Sequence, residues 1–189
     1  GAFGAIFAQT VSKRKKYLAG ALLGCLAGLS ADLDILIRSS SDPLLRLEFH
    51  RQFTHSLIFI PFGALIVALC TRFIFKKYLD WKDTLIMCFF GYATHGLLDS
   101  CTSYGTQLFW PFSNQRIAWN NVSIIDPLLT IPIIVFIILT ILKRKKWIAL
   151  IGVSYIFLYL GFGLFQNYRA EEAGRFLAKE RGQDSDNLT

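Results

Sequence analysis

The sequence predicts an all-α, multi-spanning membrane protein, with five full spans, a shorter N-terminal helix, and helix ends converging on one site at the outer face. Composition is the first reason: 53% of the 189 residues are apolar, 17 are Phe, and only 17% are charged, where soluble domains run near a quarter. Mean hydropathy is +0.44. The second reason is that the apolar residues come in blocks. Residues 17–31, 55–75, 84–101, 126–142 and 147–166 each cross, or nearly cross, a bilayer by length. A soluble helical bundle would show polar faces that these blocks lack.

The first eleven residues, GAFGAIFAQTV, are apolar but too short to span alone. They precede the basic run KRKK (Lys13 to Lys16), whereas a secretory signal puts its positive charge ahead of its apolar stretch. They read as the end of a helix whose start lies upstream of Gly1. The four cysteines, Cys25, Cys70, Cys88 and Cys101, form no CxxC pair and read as packing residues.

Charge sets the expected topology. The net charge is +7, and twelve of the 20 basic residues lie in three connections: Lys13 to Lys16, the stretch carrying Arg72, Lys76, Lys77 and Lys82, and Lys143 to Lys146. Only two acids, Asp80 and Asp83, accompany them. Alternating spans put these connections on one face, which the positive-inside rule makes cytoplasmic. Topology thus accounts for the basic runs, and no nucleic acid partner is expected. Trp81, Trp110, Trp119 and Trp147 fall in connections or at span edges, as interfacial anchors do. From Asn167 the chain turns charged and then polar, so residues 1–166 read as the membrane domain and 167–189 as an outer tail, with a further domain expected beyond it.

On this topology the remaining ionisable residues form one outer layer. Asp32 and Asp34 end the first full span, His50, Arg51 and His55 open the next, His95 and Asp99 end the third, and Asp126 opens the fourth. His95 and Asp99 are four apart and share a helical face, which Thr102 continues. Asp32 and Asp34 point oppositely on a continuous helix, so either the helix ends there or one of them faces the site. His50 and His55 do not share a face; Thr54 or Ser56 as an N-cap would leave His50 in the loop and His55 near the first turn. An aspartate inside a span costs about 2.5 to 3.5 kcal/mol at the helix centre and less near the edge. Several in one layer therefore ask for a shared partner. A divalent cation is one, and imidazole with carboxylate suits zinc first, then iron or manganese. The plainer reading is that Arg38, Arg46 and Arg51 pair with the acids, or that the layer is wet.

These residues also carry a family likeness. SADLD (Ser30 to Asp34), HRQFTHSL (His50 to Leu57) and ATHGLLDSCTSYGTQLFWPFSNQR (Ala93 to Arg116) resemble the motifs of the YdjM family of membrane-bound metal-dependent hydrolases. That family is distantly similar to the zinc-dependent phospholipase C and P1 nuclease group. The resemblance implies one four-ligand site from Asp32 or Asp34, His50 or His55, His95 and Asp99. Ala31 stands where the family has Pro, and a further family His would lie upstream of Gly1. No second His and Glu cluster follows His95, so a trinuclear site is not implied.

The implied activity is hydrolysis of a phosphoester in a lipid or lipid-linked substrate, at the extracytoplasmic side of a bacterial inner membrane. Arg51 and Arg116 would clamp phosphate oxygens, and a carboxylate not used as ligand, among Asp32, Asp34 and Asp126, would serve as base or hold a second ion. Two other readings are a noncatalytic scaffold tied by metal and an ion or proton transporter. Transport sites lie near the midplane, often with internal repeats, and this chain shows neither.

Overall fold

The computed structural model describes residues 1–37 and 49–182. Arg38 and Arg46 lie outside the described residues. Among the described residues six α-helices are placed in order: α1 (Ala2–Val11), α2 (Tyr17–Ser30), α3 (Ile60–Phe75), α4 (Trp81–Ser100), α5 (Pro127–Lys143) and α6 (Lys146–Glu180). Three short 3₁₀ turns, Ala31–Leu36, Phe53–His55 and Leu57–Phe59, flank the start of α3 and the end of α2. Among the described residues the only β pairing is an isolated bridge between Thr106 and Ile117.

Among the described residues three segments are long and apolar enough to cross a membrane, Tyr17–Leu36, Leu57–Phe75 and Lys146–Glu180, short of the five expected. The reasons differ for the other two. Helix α5 is apolar but has 17 residues, while α4 has 20 residues and dilutes its apolarity with Tyr92, Thr94, His95, Gly96 and Asp99. Helix α6 passes Asn167 without a break and is about 50 Å long, so the change in composition falls within one helix.

Helix α1, the segment too short to span alone, is the hub: it packs against α2, α4, α5 and α6. Small residues let it in. A Cβ on Gly4 would strike the Gly24 carbonyl, and one on Gly91 would meet the Gly24 backbone at 2.7 Å, so α1, α2 and α4 meet backbone to backbone. Leu23, Ala27, Ala64, Val67, Met87 and Tyr92 join α2, α3 and α4 in one buried cluster. Ile6, Leu129, Ile133, Ala149 and Ile156 join α1, α5 and α6 in another.

The outside of the bundle is apolar too. On α2, Leu18, Leu22, Leu26 and Leu29 face outward while Gly20, Gly24 and Gly28 face inward. Large residues out and small residues in is how helices pack where the surroundings are hydrocarbon; in water so large an apolar surface would aggregate.

Charged groups gather at both ends. At one end Lys16 Nζ lies 2.8 Å from Asp83, and Lys13 lies 3.2 Å from the same carboxylate, clasping the α1–α2 connection to the start of α4. Gln9 Nε2 donates to the carbonyls of Tyr17 and Ile137, which brings the C-terminal half of α5, and with it the basic run at Lys143 to Lys146, to that same end. The three basic connections therefore share one end of the bundle. Asp32, His55, His95 and Asp99 occupy the other.

Candidate metal centre

The site begins where α2 stops being an α-helix. Residues Ala31–Leu36 tighten into a 3₁₀ turn, which ends the face alternation of a continuous helix and sends both aspartates into the site in different directions. Asp32 reaches His55 and His95, while Asp34 reaches His50, Arg51 and Thr54.

His55 stands between them. It lies in the 3₁₀ turn Phe53–His55, ahead of α3 and not within its first turn. Neither Thr54 nor Ser56 caps α3. The Thr54 hydroxyl donates to Asp34 at 2.8 Å, and the Ser56 hydroxyl turns back to the Phe53 carbonyl. Gly96 makes the position of His55 possible, because a Cβ there would run into the His55 carbonyl. His95 and Asp99, one turn apart on α4, supply the remaining groups.

Four ligand atoms converge, one each from Asp32, His55, His95 and Asp99, all within 4.8 Å of one another. His95 Nε2 is 3.0 Å from Asp32 Oδ1 and 3.4 Å from Asp99 Oδ2. His55 Nε2 is 3.2 Å from Asp99 Oδ2 and 3.6 Å from Asp32 Oδ1. A tetrahedron of N and O ligands about 2.1 Å from a first-row ion has edges of about 3.4 Å, so the spacing fits. Two atoms of the set, His55 Nε2 and Asp99 Oδ2, are buried and make no hydrogen bond. Buried groups of this kind are normally satisfied, and a cation answers both at once. This group of Asp and His residues can hold a metal ion.

The tautomer of His55 agrees with that use. Its Nδ1 lies 2.9 Å from the Thr54 hydroxyl, whose own proton goes to Asp34. Thr54 is left to accept, so Nδ1 carries the hydrogen and the Nε2 lone pair faces the cluster. Asp34 is thus a brace and sits outside the four-atom group: its two oxygens are held by His50 Nδ1 at 2.9 Å, the Arg51 amide at 3.0 Å and the Thr54 hydroxyl. His50 stands one shell out, its ring 6.1 Å from that of His55 and 6.0 Å from that of Tyr104.

Arg51 lies against the cluster. Its Nε is 3.1 Å from Asp99 Oδ2 and its Nη1 donates to Thr102 at 3.1 Å. Its backbone has φ of 60°, a left-handed conformation that costs a non-glycine residue about 1 kcal/mol or more. Hydrogen bonds pin it on both sides: the amide to Asp34, and the carbonyl accepting from the Gln107 amide and the Thr106 hydroxyl. Arg116 donates to the His50 carbonyl at 3.0 Å, and the guanidinium groups of Arg51 and Arg116 approach the Tyr104 ring at 5.0 and 5.1 Å.

Asp126 is placed elsewhere. One of its oxygens caps α5 by accepting from the Leu129 amide at 3.1 Å, and the other accepts from the Tyr159 hydroxyl at 2.8 Å. The first contact starts α5 and the second ties it to α6, so both oxygens are engaged in structural bonds.

Comparison with known proteins agrees with this architecture. The sequence model of the YdjM inner membrane protein family matches residues 1–170. The chain belongs to that family. It is also 26% identical over 111 residues to a protein of Bacillus subtilis (strain 168) described as uncharacterized protein YfhP, a match covering 58% of this chain and 33% of the relative. The chain thus spans about a third of the length of the curated relative it matches. No solved structure matches it.

The sequence pattern read Thr54 as a cap and passed over Gly96, Tyr104, Thr106 and Gln107, all of which build this YdjM-family site. Thr54 orients His55, Gly96 admits it, Tyr104 lies beside both arginines, and Thr106 with Gln107 locks Arg51. Gly96 carried a usable signal, a glycine one residue after a candidate ligand on a helix, where only close approach of another backbone explains it.

Proposed function

We propose that this YdjM-family protein is a membrane-embedded metal-dependent hydrolase that cleaves a phosphoester in a lipid or lipid-linked substrate. The observation that carries the reading is the buried quartet of Asp32, His55, His95 and Asp99, with two of its atoms lacking any hydrogen bond. Those four residues would hold the ion, with zinc favoured by the donor set. A divalent ion held there would act as a Lewis acid and would lower the pKa of water toward about 7.

The chain's own groups supply the rest. Asp32 is the half-exposed member of the quartet, its side chain 44% accessible, so substrate and water approach from its side. Arg51 places a fixed positive charge beside Asp99, where a phosphoryl oxygen would gather negative charge. Arg116, anchored on the His50 carbonyl, extends that cationic rim. His50 and Asp34 hold the His55 turn in place and keep its ring oriented.

The two ends of the bundle support a placement in the membrane. The three basic connections share the end opposite the quartet, so the positive-inside rule would face the site away from the cytoplasm of a multi-pass protein. A second reading is a noncatalytic scaffold, favoured by the way the quartet ties the end of α2 and the turn before α3 to α4.

The test is metal analysis of purified protein beside a phosphate-release assay on native lipid extracts. Stoichiometric metal with metal-dependent release supports the hydrolase. Metal without release from any lipid class supports the scaffold. Wild-type protein without metal overturns both.

A further inference from the structure

A groove of about 530 Å³ runs along the outside of the bundle between α2 and α3, a volume in the range of small-ligand sites. Leu26, Leu29 and Leu33 line one wall and Phe59, Ile66 and Cys70 the other, with Tyr92 of α4 in the lining as well. Its upper end is formed by Asp34 and Thr54, the pair that orients His55. Asp34 Oδ2 lies 3.4 Å from His55 Nδ1, so the groove ends one side chain from the quartet.

We propose that this groove holds one alkyl chain of a membrane lipid and so presents the attached headgroup to the quartet. The inference rests on the lipid-directed hydrolase reading and names the part of the substrate that this chain recognises.

Three observations select hydrocarbon as the occupant. The groove lies between Tyr17–Leu36 and Leu57–Phe75, two of the segments able to cross a membrane, so the medium outside it is lipid. Its polar lining groups are already satisfied: Ser30 donates to the Ala27 carbonyl, Thr71 to the Val67 carbonyl, Thr54 to Asp34, and Asp34 accepts from Arg51 and Thr54 and pairs with His50. Tyr92 gives its hydroxyl to the Thr54 carbonyl. No hydrogen-bonding demand is left for a polar guest, and methylene groups fill such a space best.

Length agrees as well. The α3 wall from Phe59 to Thr71 is about 18 Å long, slightly more than the ~15 Å depth of one leaflet, half of the ~30 Å hydrocarbon core. A single chain of one leaflet spans it. The outer walls stay open, since Leu33 and Ile66 are exposed, so the chain enters sideways from the bilayer.

The test uses the full chain in nanodiscs of phosphatidylglycerol and phosphatidylethanolamine, doped with a phosphatidylcholine that carries a diazirine at the end of one acyl chain. Photolysis and peptide mapping compare adducts in the groove with adducts on the outward face of α6, at Leu158 and Phe162. Groove adducts are expected to dominate, and Ile66→Trp to lower them by about tenfold while leaving the α6 adducts unchanged. Cys70→Phe, at an exposed position at the far end, is the second filling variant should Ile66→Trp not fold. Equal labelling of groove and α6, or groove labelling unchanged by either variant, overturns the proposal.

Metal analysis of the same samples separates the two readings. Groove labelling in protein without metal leaves the groove standing and removes the hydrolase, and metal with uniform labelling does the reverse.

Discussion

The two ends of the bundle hold the same chemistry, carboxylates beside cationic side chains, and use it differently. At the basic end, Lys13 and Asp80 are mostly exposed and meet at 3.9 Å, a pair that water and salt screen. At the other end, His55 and Asp34 side chains are fully buried and Asp99 is 10% exposed. An exposed pair is dispensable because water replaces either partner. A buried group has no such substitute, so each atom of the quartet must find a ligand or remain a standing cost. Residue types alone do not show this difference, because both ends pair carboxylates with nitrogen bases; burial does.

The largest effect should come from the quartet itself. His95→Ala and Asp99→Ala should each lower metal affinity by more than the ~10 to 100-fold typical of losing a residue that merely supports a ligand, read as metal per protein after dialysis. Asp99→Ala also strips the carboxylate from beside Arg51, so it should lower thermal stability further than His95→Ala; equal losses would mean that the Arg51 contact carries no weight.

Gly96→Ala comes next. Its methyl group would drive the His55 backbone off α4, costing about 1 to 3 kcal/mol as overpacking does and weakening metal binding although no ligand has changed. A normal melting temperature and normal metal content would show that α4 and the Phe53–His55 turn shift apart freely.

Thr54→Val removes the group that fixes the His55 tautomer while keeping its shape. Metal affinity should fall by about 10 to 100-fold, with the helical content measured by circular dichroism unchanged.

The smallest effect belongs to the basic end. Lys16 is raised above its ordinary 10.5 by its hydrogen bond to Asp83, and the same bond lowers Asp83 below its ordinary 3.8. The lysine's contribution is whole below 10.5 and fades as pH rises through its raised folded value. That of Asp83 is whole above 3.8 and fades as pH falls through its lowered folded value. Asp80→Asn, at the exposed carboxylate of this end, should cost about 0 to 1 kcal/mol at neutral pH, less at high salt, and leave metal content untouched. A metal loss as large as that of Thr54→Val would erase the contrast between the two ends.

Much of this was legible in the chain because it is local. Apolar blocks announce helices in hydrocarbon, and residues four apart, such as His95 and Asp99, share a face wherever their helix sits. Against five expected spans, the described residues hold three segments of sufficient length and apolarity, because α4 carries the site's polar residues within its own span and α5 is short. The role of α1 was hidden for a related reason. Length and hydropathy describe a segment alone, while its place at the centre of the bundle depends on glycines in two other helices.

What the sequence determined by itself is the chemistry available: which imidazoles and carboxylates exist, that they are too costly to leave scattered in an apolar chain, and that positive charge collects in three connections. Only the tertiary structure decided which of them meet. His55 joins the quartet and His50 does not; Asp32 joins it and Asp34 braces the turn. Those distinctions are set by a 3₁₀ turn ending α2 and by a backbone contact across Gly96. A metal site needs its atoms placed to within fractions of an ångström, and that precision comes from packing between segments distant in sequence, which no local spacing records.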